Sequence, residues 1–96
     1  LNTKKAYKQK MEAELELAQA KLAEFKAQAK SAAADTQIKH AKQVEELEEK
    51  VGDTKAKLNE LAEASDDVWE KFKDGVESSW KSLSAAIRNT AAKFKG

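Results

Sequence analysis

The chain has 96 residues, and its 18 basic and 17 acidic side chains leave a net charge of +1. That balance provides no basic field for duplex nucleic acid and no self-repulsion to keep the chain unfolded. Cysteine and proline are absent, glycine occurs three times, and 36% of residues are charged, which removes disulfides and thiol chemistry and selects long helices over an α/β fold.

The first apolar series is Tyr7, Met11, Leu15, Ala18, Leu22, Phe25 and Ala29, in steps of 4 or 3, the period of a helix. "KSAAADTQ" then breaks the apolar phase. Asp35 in it is of helix-capping type, yet Ala is the strongest helix former, so the stretch reads as a thin part of one continuing helix. The second series is Ile38, Ala41, Val44, Leu47, Val51, Leu58 and Leu61. Gly52-Asp53 offers a weaker stop or kink within it. Steps of 3-4-4 recur in the first and last series and suggest an 11-residue repeat with a nearly straight coil.

The clearest turn is "EASDDVWE", where Asp67 followed by Glu70 fits a capping box. Asp66, Asp67, Glu70, Asp74 and Glu77 crowd the start of the segment that follows, while Lys81, Arg88, Lys93 and Lys95 load its end. Both ends match the helix macrodipole. The preferred architecture is therefore all-α in a single domain over 1–96: an antiparallel coiled-coil hairpin. Its long helix covers about 3–63, on the order of 90 Å at 1.5 Å per residue, and turns at 64–67 into a helix over about 67–94. The first third would overhang with Met11, Leu15, Leu22 and Phe25 uncovered, which calls for self-association. The alternative is a three-helix bundle with an extra break near 31–36. It would set Lys4, Lys5, Lys8 and Lys10 beside Glu60, Glu63, Asp66 and Asp67.

The tail carries both tryptophans and a stripe of Val68, Phe72, Val76, Trp80, Leu83, Ile87, Ala91 and Phe94 at helical spacing. The candidate partner or lipid face comprises Val68, Trp69, Phe72, Gly75, Val76, Trp80, Leu83, Ile87 and Phe94. Such a stripe is ordinarily core, and Gly75 beside it would admit a neighbouring backbone closely. The rival use is an interfacial helix, anchored by its aromatic side chains with Lys71, Lys73, Lys81, Arg88 and Lys93 along its flanks.

No constellation for chemistry emerges. His40 is the single histidine and is expected in solvent, far from any zinc or haem role. "EELEEK" at Glu45–Lys50 lacks the bent loop of a calcium site. Ser78, Ser79, Ser82 and Ser84 have no histidine nearby in sequence and no glycine elbow, and there is no glycine-rich phosphate loop. No catalytic, cofactor-binding or metal-ligating residue and no small-molecule substrate is expected. No run reaches the ~18 apolar residues of a membrane span. The chain begins at Leu1 rather than Met, as if an initiator, tag or leader had been removed. A cytoplasmic location is expected, with a peripheral membrane one as the alternative.

The segment "EASDDVWEKFKDGVESSWKSL" resembles a signature of small bacterial coiled-coil proteins, some described as stress-response proteins. Ala64, Ser65, Asp67, Trp69, Lys73, Gly75, Glu77, Trp80 and Leu83 fit its pattern, and Asp66 departs from it where a glycine is usual. The resemblance covers about a fifth of the chain and implies a helical, non-enzymatic, bacterial protein. The functional expectation is an interaction protein working through homo-oligomers or a partner helix. The alternative is a peripheral protein that lays its tail helix on an anionic membrane.

Overall fold

Two breaks in the apolar pattern become two turns. The computed structural model describes residues 3–94, and among them the chain forms α1 (Thr3–Lys30), α2 (Ala34–Glu63), a 3-10 turn (Trp69–Phe72) and α3 (Lys73–Phe94). Lys95, counted above among the basic residues of the tail, lies outside the described residues. The three helices pack up, down and up into a rod of 52 × 18 × 18 Å. α2 lies against both neighbours, and α1 and α3 meet along a more open seam.

The single helix over 3–63 is not formed; the chain reverses at 31–33, as in the three-helix alternative. The hydrophobic effect decides this. Continuity through "KSAAADTQ" would keep a few helical hydrogen bonds, each worth about 0.5–1.5 kcal/mol net. Folding back buries Met11, Leu15, Ala18, Leu22 and Phe25, all under 9% exposed, and the large ones among them contribute ~1.5–3 kcal/mol each. The turn also recovers bonds. Gln37 Nε2 donates to Lys30 O at 2.9 Å and Ser31 Oγ to Gln28 O at 3.1 Å, which satisfies carbonyls at the end of α1. No described residue takes a positive φ, so the turn is made without glycine.

The core follows heptads. Buried positions step 4-3-4-3 from Met11 to Phe25 and 3-4-3-4-3 through Val44, Leu47, Val51, Thr54, Leu58 and Leu61, then fall every seventh residue at Trp69, Val76, Leu83 and Thr90. The expected 11-residue repeat is thus replaced by a buried seam spaced at 3.5 residues on average. The second series starts later than expected. Ile38 is 73% exposed and Ala41 is exposed, because the heptad extended back from Val44 falls on His40. Thr54 fills a core position that an apolar reading skips. Its hydroxyl donates to Lys50 O at 2.9 Å, so nothing polar is stranded there.

The second turn falls where the sequence puts it but closes differently. Backbone N–H groups of Val68 and Trp69 both donate to Ser65 O at 3.1 Å, and the helical start at Trp69 has no side-chain cap. The Asp67–Glu70 box is not formed. Gly52 sits on an exposed, unbroken stretch of α2. Gly75 meets no backbone closely: a Cβ there would touch only the Lys57 side chain, at 3.5 Å.

Candidate functional site

The tail stripe is divided at its first turn, the 3-10 turn Trp69–Phe72. Trp69 goes inward with Val76 and Leu83, all buried, while Phe72 is 39% exposed. Val68, Gly75, Trp80, Ile87 and Phe94 are half-buried. The predicted face therefore does not lie open as a whole: its centre packs against α1 and α2, and one edge stays accessible.

Aromatic contacts fasten that face at both ends. Tyr7 of α1 stacks obliquely on Trp69 at 5.8 Å, and Lys73 Nζ lies 5.1 Å from the Tyr7 ring centre. The Tyr7 hydroxyl faces Glu77 Oε1 at 3.4 Å. Burial, then the Glu77 carboxylate, pushes the phenol up to about 12. At the other end Phe94 meets Phe25 edge-on at 5.1 Å and stacks on His40 at 3.7 Å. His40 is thus packed on an aromatic ring, with Nδ1 buried and unpartnered among the described residues, and is not the solvated side chain expected. A histidine spaced in heptad with Val44 and Leu47 was the available signal.

Polar ties fix the neighbouring seams. Lys4 Nζ donates to Ala64 O at 2.8 Å and pairs with Asp66 at 3.4 Å, the contact foreseen for the three-helix layout. Lys26 pairs with Glu48 at 3.2 Å across α1 and α2, and Lys50 Nζ donates to Ser82 Oγ at 2.8 Å across α2 and α3.

The remaining seam, between α1 and α3, holds an apolar groove. Glu14, Leu17, Ala18 and Lys21 line it from α1 and Trp80 and Ile87 from α3, around about 320 Å³. Leu17 stands at its rim and is 73% exposed. The groove runs on past Lys21 toward Arg88, Ala91 and Phe94. Leu17 escaped the periodic reading because it lies beside the Leu15–Ala18 stripe rather than on it; an apolar residue at such a flanking position widens the face of a helix toward a further neighbour.

Comparison with known protein families, curated proteins and solved structures finds no match.

Geometry thus carries the functional reading. Among the described residues no three His, Cys, Asp or Glu side chains gather as a metal site. No described helix is long and apolar enough to cross a membrane. The groove can do one thing by physical chemistry: remove an apolar side chain from water between charged rims.

Proposed function

We propose that this protein is a non-catalytic association module that receives a helix, its own or another's, in the groove between α1 and α3. The observation that carries the reading is Leu17, exposed at 73% above Ala18, Trp80 and Ile87. Covering a leucine of this kind contributes ~1.5–3 kcal/mol, and a three-helix rod with one open seam is completed by a fourth helix laid along it. The resemblance of the tail to small bacterial coiled-coil proteins agrees with a non-enzymatic, stress-related role. Lipid binding by the tail has less support, since Trp69, Val76 and Leu83 would have to leave the core.

The test uses Trp69→Phe, which leaves Trp80 as the single indole. The dilute chain is titrated with a synthetic leucine-heptad helix and, separately, with vesicles containing phosphatidylglycerol. A saturable blue shift of Trp80 with the helix, lost in Leu17→Glu, is the expected result. A shift with vesicles alone, weakened by salt, would replace this reading with the membrane one.

A further inference from the structure

The α1 face that borders the groove reads Lys10, Glu14, Leu17, Lys21, Glu24, in steps of 4, 3, 4 and 3, so these side chains share one side of the helix. Glu14, Leu17 and Lys21 line the groove, Glu24 lines its continuation, and Lys10 lies one turn before it. Their signs run plus, minus, apolar, plus, minus. Reversed, they run minus, plus, apolar, minus, plus. Each charge thus meets its opposite when the stripe is laid antiparallel on itself. The opposite flank of α1, Glu12, Glu16, Gln19, Ala23 and Lys26, is complementary only in part: reversal sets Glu12 against Lys26 but leaves Glu16 against Ala23.

From this self-complementarity we infer that a second copy of this chain covers the groove with the same face, as an antiparallel two-fold dimer centred on Leu17. The inference rests on the helix-binding reading above and names what covers Leu17: α1 of a second copy. The two-fold axis crosses the groove at right angles to the helices. It places Lys10 by the partner's Glu24, Glu14 by the partner's Lys21, and Leu17 against the partner's Leu17, the isologous pattern of a two-fold interface. The same axis serves α3. Trp80 and Ile87 lie seven residues apart, as Glu14 and Lys21 do, and line the same groove, so the operation brings Trp80 toward the partner's Ile87.

Charge chooses the direction as well as the occupant. A parallel copy in register would oppose lysine to lysine and glutamate to glutamate at all four charged positions, and such like-charge juxtapositions discriminate against the wrong arrangement. Lys21 and Glu24 already pair within α1 at 3.1 Å, and both lie exposed at the rim. There the ion pairs specify register, as charged flanking positions do in coiled coils, while Leu17, Trp80 and Ile87 provide the apolar contact.

Light scattering on the eluting 96-residue chain tests the inference, together with circular dichroism. The wild type should have twice the 10.6 kDa mass of one chain. The double variants Glu14→Lys/Glu24→Lys and Lys10→Glu/Lys21→Glu should each elute as single chains with unchanged helicity, and mixing them should restore a two-chain species. Oxidised Leu17→Cys should cross-link to a dimer, whereas Ile38→Cys, equally exposed, should not. Dimeric charge variants, a mixture that stays monomeric, or equal cross-linking at both cysteines would overturn the dimer. A monomeric wild type whose Trp80 still responds to the synthetic helix overturns the dimer alone. One that responds to no helix overturns the helix-binding reading too.

Discussion

His40 and Phe94 stack with ring centres 3.7 Å apart and planes 23° from parallel. The pair ties the first turns of α2 to the last turn of α3, and Phe25 of α1 completes it from the side. One end of the rod is therefore closed by three rings from three helices, although Ile38 two residues earlier is left in water.

Phe94→Ala removes both ring contacts. Full core truncations of phenylalanine cost about 3–5 kcal/mol, and a half-buried ring at a helix end should lose less, about 1–3 kcal/mol. His40→Leu keeps the apolar volume and deletes the unpartnered buried Nδ1, whose desolvation is a cost. Its melting temperature should equal or exceed that of the wild type, while His40→Ala should melt lower. Thermal unfolding followed by circular dichroism makes the comparison.

The inversion of the tail's first turn gives a second contrast. Trp69→Ala should destabilise by roughly 3–5 kcal/mol, as for a buried large aromatic, and Phe72→Ala by under about 1 kcal/mol, as for exposed positions. Urea midpoints of the two variants read the difference.

Gly52→Ala should stabilise. The residue is exposed within α2, and an added Cβ meets nothing within 4 Å. Alanine in a helix interior is favoured over glycine by about 1 kcal/mol, so the urea midpoint should rise with an unchanged slope. Gly75→Ala should gain less, because its Cβ must share space with the Lys57 chain at 3.5 Å.

Tyr7 predicts an alkaline limb of stability. Its phenol is raised from 10.0 to about 12 by burial and then by Glu77. Above pH 10 the unfolded chain therefore releases a proton that the folded chain keeps. The contribution of Tyr7 is fully present below pH 10 and is lost as pH rises from 10 toward 12. Tyr7→Phe should flatten this part of the stability–pH curve, whereas lysine titration would leave wild type and variant parallel. Denaturant melts at intervals across that range read the difference.

Much of the framework was legible because it rests on local physics. Composition and period made the chain helical throughout, and the Ser65–Asp67 cluster marked the second reversal, since both depend on neighbours along the chain. The half-buried edge of the tail was legible in the same way, with Trp80 and Ile87 four and eleven residues beyond Val76. Leu17 was not. Its meaning depends on which helix stands beside α1, and no spacing within α1 contains that.

The sequence by itself determined three apolar stripes, an all-α fold and a turn at residues 64–67, because helix propensity and local hydrogen bonding act over a few residues. Tertiary structure decided where the first helix ends. The Ala-rich stretch prefers helix by only tenths of a kcal/mol per residue, and the gain from covering Met11, Leu15, Leu22 and Phe25 overrides that preference. It likewise decided that Trp69 and Thr54 point inward, that His40 lies on a ring, and that Leu17 borders an open seam. Each outcome follows from the same cause: burial is settled by packing among all three helices at once, and residues adjacent along the chain carry only part of that balance.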